Sequence, residues 1–315
     1  MSSSLLDDTV ADRPSAAAQR MRTSMAAVRV SLSWFGTRKT LTPEQKQEAA
    51  EPFGTDARFL SAGKRLLDIS HPAYKAVTAV RGKVIAYWKS LSLPYPEPGL
   101  RLIRQDRIDE FAAKMREFQD ELAEAVEDLD RRYSELKTTA RQRLGSLFNS
   151  ADYPESLRGL FLVEFDFPSV EAPDYLQQLN PALYEQECQR VQQRFDEAVC
   201  LAEEAFTAEL AKLVSHLTER LSGQADGKPR VFRDSAVDNL TEFFQRFREL
   251  NVRSNEQLDQ LVGEAQRVIR GVEPKDLRDN ADLRQHVATE MSRVQSVLDG
   301  LLVDRPRRNI LRRPK

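Results

Sequence analysis

The chain is poor in cysteine and histidine and has no long apolar run, and each shortage closes off a class of function. Of 315 residues, two are cysteine and three are histidine. Cys188 and Cys200 lie twelve residues apart on one predicted helix, roughly 18 Å at the helical rise, beyond disulfide reach. Two unbridged thiols point to a reducing cytoplasm. They are expected to serve as small buried apolar groups rather than as nucleophiles. His71, His216 and His286 are isolated, with no His/Cys pair at metal-ligand spacing. No apolar stretch approaches the roughly 18 residues that cross a bilayer. Residues 1–25 lack the apolar core of a signal peptide, and they carry Asp7, Asp8 and Asp12, which a transit peptide avoids.

Catalytic signatures are missing in the same way. Gly63-Lys64 is followed by Arg65, with no glycine five residues earlier, so there is no phosphate loop. There is no G-x-S-x-G elbow and no Gly-x-Gly fingerprint. Carboxylate pairs such as Glu127-Asp128 and Glu203-Glu204 read as solvated helix faces. The expectation is therefore a non-enzyme, with no catalytic, cofactor-binding or metal-binding residues and no cofactor.

What is present is charge and helical periodicity. Charged residues make up 30% and hydrophobic ones 41%, with a mean hydropathy of -0.54, so the chain is neither disordered nor membrane-embedded. The formal net charge of -2 hides an asymmetry. Residues 26–107 hold 14 Lys/Arg against 7 Asp/Glu, and residues 108–221 hold 12 against 24. A basic segment is followed by an acidic one.

The expected fold is mainly α: two long antiparallel amphipathic helices forming a coiled-coil-like arm, a small β element and a C-terminal helical bundle. Its parts are a disordered lead (1–25), a basic α+β head (26–107), a long helical hairpin with an inserted strand at 160–167 (108–221), a linker (222–234), a bundle (235–303) and a basic tail (304–315). Val28, Val30, Leu32 and Trp34 alternate as in a strand with one polar face. Ser70-His71-Pro72 opens a helix with the stripe Tyr74, Val77, Val80, Val84 and Trp88. The prolines of 93–99 stop it, and a short strand at 100–103 follows.

The first long helix, about 106–147, has a stripe from Ile108 through Phe111, Met115, Phe118, Leu122, Val126 and Leu129 to Leu147, spaced near 3.5 residues. The second opens at Asn180-Pro181 and carries Tyr184, Cys188, Val191, Phe195, Val199 and onward to Leu221, spaced near 3.7. Between them Phe161, Val163, Phe165 and Phe167 share a strand face. An unbroken first helix would end roughly 60 Å from residues 100–103, and the twelve residues after it span at most ~40 Å. Strand 160–167 then pairs with 28–34, unless the helix breaks near Gly145. In the bundle, Ser235 caps the first helix, Ser254-Asn255-Glu256-Gln257 is a capping-box pattern for the second, and Leu283, Val287, Met291, Val294 and Leu298 form the third stripe.

Basic residues among aromatics suggest an alternative role. Arg29, Trp34, Arg38, Lys39, Arg81, Lys83, Lys89, Arg101, Arg104 and Arg107, with Trp88, combine cations for phosphates with rings for bases, as single-stranded nucleic acid binding requires. The favoured counter-reading is that both tryptophans are core and the cations face the chain's own acidic helices.

Several segments resemble a bacterial and phage family known as domain of unknown function 3150. They are VRVSLSWFGTRKTL (28–41), YWKSLSLPYPEPGLRLI (87–103), FRDSAVDNLTEFF (232–244) and ELNV (249–252), with the Leu277-Arg278-Asp279 turn. The resemblance implies an accessory or adaptor role beside a MoxR-like AAA+ ATPase and a von Willebrand A-type protein, and it supplies no functional residues. A cytoplasmic adaptor that engages protein partners through its long helices and C-terminal bundle is the leading expectation, with nucleic acid binding through the basic head and the C-terminal tail as the alternative. Oligomeric state stays open.

Overall fold

A computed structural model describes residues 15–221 and 235–303. Helix accounts for 69% and strand for 10%, so the molecule is mainly helical with a small antiparallel sheet element. In chain order the elements begin with α1 (Ala16–Ser24), β1 (Met25–Ser33), β2 (Arg38–Thr40), α2 (Pro43–Ala50), β3 (Gly63–Arg65), α3 (Pro72–Ser90), β4 (Ser92–Pro94) and β5 (Leu100–Arg104). Then follow α4 (Ile108–Arg131), α5 (Tyr133–Leu144), β6 (Leu162–Asp166), α6 (Tyr175–Leu179), α7 (Pro181–Leu221), α8 (Ser235–Leu250), α9 (Glu256–Ile269), α10 (Pro274–Asp279) and α11 (Ala281–Val303).

Two compact units divide the chain, and neither is contiguous. One comprises the residues up to Ala27, Ser92–Gln105 and the chain from Ser169 on; the other comprises Val28–Leu91 and Asp106–Pro168. They are called here the α7 unit and the α4 unit.

In the α4 unit, α3 lies along α4. The stripe expected for α3 is buried at Tyr74, Val77, Val80 and Val84, and that of α4 at Phe111, Met115, Phe118, Leu122, Val126 and Leu129. His71 is the α3 cap, its Nδ1 accepting from the Ala73 amide at 3.3 Å, so this isolated histidine has a structural role. β6 pairs antiparallel with β1, with Leu32 opposite Val163 and Val30 opposite Phe165. The pairing matches the expectation drawn from chain length. The first long helix is nevertheless interrupted. At Arg132, between α4 and α5, the amide bonds the Leu129 carbonyl and the α-helical hydrogen-bond pattern lapses although the backbone stays right-handed. Nearby, Asp130 Oδ1 receives the Ser156 hydroxyl and the Leu157 amide. α5 then ends at Gly145, whose φ of 52° and ψ of -122° favour a residue without Cβ.

In the α7 unit, α7 is the centre. α11 runs along it, and α1, α8 and the β4–β5 hairpin region also pack on it. Asn180 caps α7, its Oδ1 accepting from the Leu183 amide, as Asn180-Pro181 suggested. Phe206 meets Phe243 and Phe247 of α8 edge-on, and Tyr95 meets Phe195.

Several expectations change. Residues 16–24 of the supposed disordered lead form α1, with Ala17, Ala18 and Met21 buried, because the spacing of these small apolar residues suits one helix face. The expected hairpin of the two long helices is not confirmed: α4 packs on α3 within one unit and α7 on α11 within the other. The 26–107 head is likewise divided, since Ser92–Gln105 belongs with α7. The bundle at 235–303 is built around α7 rather than standing alone, and a short α10 precedes α11. Asn255, not Ser254, caps α9, accepting from the Leu258 amide. Cys200 is exposed and Cys188 half-buried, in contrast to the buried thiols expected. The 222–234 linker, the 304–315 tail and residues 1–14 of the lead lie outside the described residues.

Candidate functional site

The ten basic and aromatic positions proposed for nucleic acid are divided between the two units. Arg101 and Arg104 belong to the α7 unit; the other eight belong to the α4 unit. Four of these cations face their own chain's carboxylates. Arg29 pairs across the ladder with Asp166, Lys39 with Asp152, Lys83 with Glu121, and Arg107 with Glu110 one turn on. The Arg29 guanidinium holds the Asp166 carboxyl below its ordinary range.

Arg101 donates to the Ser92 hydroxyl and carbonyl, both at 2.7 Å. Burial first, and then nearby Arg246, lower its pKa to about 10. Arg104 donates to the Glu249 carbonyl at 3.2 Å. Arg81 lies over the Trp34 ring at 5.4 Å, and that ring also meets Phe161 edge-on. Both tryptophans are half-buried, and Arg38 and Lys89 are exposed. Within the α4 unit, Arg29, Lys39, Lys83 and Arg107 are thus tied to carboxylates of the same chain, while neither tryptophan is fully buried.

One charged cluster was missed. Lys64 is buried, and its ammonium sits 2.7 Å from Asp152 Oδ2 and 2.6 Å from the Leu147 carbonyl. Asp152 also takes Lys39, and these two lysines, Lys39 first, lower its pKa. A buried cation shared between a carboxylate and a carbonyl is a structural clamp joining β3 to the chain after α5. Strand β3 has only three residues, too few for alternation to reveal that Lys64 points inward.

The concave surfaces are more informative. The α4 unit has a groove of about 530 Å³ between α4 and β6. Leu122, Ala123 and Val126 form one wall, and Phe161, Leu162 and Val163 form the other. Gln119 Nε2 donates to the Val163 carbonyl at 2.7 Å. Arg158, at one end, is held by Glu127 at 2.5 Å and lies 3.4 Å from Asp130. Sequence periodicity had assigned Leu122 and Val126 to core and gave no reason to single out Ala123. In the α7 unit, His286 and His216 sit in separate open grooves, of about 550 Å³ and 620 Å³, with carboxylates and cations beside them. Among the described residues, no group of three His, Cys, Asp or Glu is placed to hold a metal ion. Among them, too, no helix is long and apolar enough to cross a membrane.

No family model matches the chain, and neither a curated protein nor a solved structure matches it.

Proposed function

We propose that this protein is a non-catalytic helical adaptor that binds other proteins. The observation that carries the reading is the groove between α4 and β6, where exposed Leu162 and Ala123 lie beside a strand edge over buried Leu122, Val126, Phe161 and Val163. Apolar concavities next to a strand edge are surfaces that polypeptide partners use. The separate packing of α4 and α7 adds support, since two cores let one chain present two independent surfaces. A MoxR-like AAA+ ATPase, together with a von Willebrand A-type protein, is the partner class that the sequence resemblance suggests.

The test is affinity purification of the tagged full chain from native cells, with and without ATP. A stable stoichiometric protein partner is expected. Recovery of none under either condition overturns the reading.

Nucleic acid binding is the second reading, and it rests on the exposed Arg38 and Lys89 together with the Arg81–Trp34 stack. Its test is a salt titration of binding to a single-stranded oligonucleotide. Binding must weaken steeply with salt. Silence at low salt removes it.

A further inference from the structure

We propose that the α4–β6 groove takes an extended peptide that adds to the outer edge of β6 and carries an apolar anchor flanked by basic side chains. This deepens the adaptor reading and rests on it for biological meaning, but the groove can be tested separately.

The argument begins with the strand. β6 lies at the end of its strand order, pairing with β1 on one side. In an antiparallel ladder the N–H and C=O of one residue point to the same side, and successive residues alternate. The Gln119 carboxamide at the Val163 carbonyl therefore marks Val163, and with it Phe165, as facing away from β1. One side-chain amide occupies one of the edge carbonyls. An arriving strand can displace it and offer a main-chain donor in its place.

The groove beside that edge supplies the anchor site. Ala123 is exposed and small, so it opens the α4 wall over the buried Leu122 and Val126. Leu162 on the opposite wall is 42% exposed, a large apolar side chain left in water. Covering such surface stabilises a complex by roughly 25 cal/mol per Å² of apolar area, before association costs.

Charge selects among occupants. α4 carries nine carboxylates and three cations. Glu127, Glu164 and Arg158 line the groove; Arg158 is taken up by Glu127, whereas Glu164 has only Ser31 opposite it in the ladder and carries the acidic character of the site. A second copy docking through its own β6 would bring Glu164 and Asp166 against this acidic surface, and nucleic acid would bring phosphates. A peptide with lysine or arginine beside its apolar residue fits both walls.

The experiment uses the full chain and a labelled peptide alternating lysine and valine, followed by fluorescence anisotropy and by amide hydrogen exchange. Three control peptides accompany it: glutamate for lysine, glycine for valine, and alternate amides N-methylated. The alternating peptide should bind, each control should bind about tenfold more weakly or not at all, and the Val163 and Phe165 amides should gain protection. Ala123→Arg, which fills the groove from an exposed position, and Glu164→Lys should each weaken binding about tenfold.

No binding at about 1 mM peptide, undiminished binding by Ala123→Arg, equal binding of the glycine control, or unchanged protection each overturns the proposal. In the affinity purification, partners retained in full by Ala123→Arg overturn the groove while leaving the adaptor reading intact. Recovery of no partner by the unaltered chain overturns the adaptor reading, and peptide binding then decides the groove by itself.

Discussion

In α4 the buried positions step by three or four, through Phe111, Met115, Phe118, Leu122, Val126 and Leu129, with Ala112 beside the first. In α7, from Val191 to Leu221, neighbours are buried together at Ala198-Val199, Phe206-Thr207 and Leu210-Ala211. A narrow stripe is what a helix needs to cover one neighbour, and a wide face is what a central helix presents to several. α4 accordingly rests on α3 and β6, while α7 is packed by α1, α8, α9 and α11. The difference teaches that length and amphipathicity alone do not distinguish a peripheral helix from a central one. The width of the apolar face does, and α7's small residues, Ala198, Ala202 and Ala211, supply that width without bulk.

Four changes can break or sharpen this contrast. The largest effect should come from Leu210→Ala, at a fully buried position of α7. A cavity there costs about 4 kcal/mol. Hydrogen exchange should show lost protection in α1, α8 and α11 with α4 unaffected; an equal loss in α4 would contradict two separate cores. Next is Lys64→Met in the α4 unit, which leaves the buried Asp152 with Lys39 alone. Removing one partner of a buried pair costs about 3 kcal/mol, read as a shift in the urea midpoint. Adding Asp152→Leu to that variant should recover part of the loss.

Tyr133→Phe should be neutral or stabilising by up to about 1 kcal/mol. The Tyr133 hydroxyl is buried with no hydrogen-bond partner, and burial raises its pKa to about 12. Stability should fall as pH rises from about 10, where the unfolded tyrosine ionises first. The phenylalanine variant should show a shallower fall, the remainder coming from Tyr87, Tyr95 and Tyr153, whose pKa values burial also raises.

The smallest effect is electrostatic. The Ser70 hydroxyl and amide, and then Arg143, lower the pKa of Asp68 from 3.8 to about 2. A depressed carboxyl contributes its stabilisation above the unfolded value and loses it as pH falls towards 2. Carboxyl NMR should place the midpoint near 2, and Ser70→Ala should raise it more than Arg143→Gln does.

The parts of the fold that were legible in the sequence are those set by local pattern. The α4 stripe, the His71-Pro72 and Asn180-Pro181 helix starts, and the β6 face follow from spacing and capping chemistry. The β1–β6 pairing followed from chain reach, although the long helix used in that argument is interrupted at Arg132. What the pattern does not contain is the identity of each stripe's partner. Two long stripes suggested one hairpin, yet α4 is covered by α3, which precedes it in the chain, and α7 by α11, which lies beyond α8, α9 and α10. The basic positions were visible, but their carboxylate partners were not: Arg29 and Asp166, or Lys39 and Asp152, are joined only by tertiary folding. The groove was hidden for the same reason, because Ala123 gains meaning only once β6 stands beside it.

The interleaving of the two units has a consequence for biosynthesis. The chain passes between them four times, and every residue of the α4 unit has been made by Pro168. α1 is made early, but its Ser15 amide bonds Asp196 on α7, 181 residues later. A nascent chain can therefore complete the α4 core while Ala17, Ala18 and Met21 still await the helix that buries them. For that interval the leading helix carries an uncovered apolar face, and a chain stalled between Pro168 and α7 would present it as a target for chaperones or proteases.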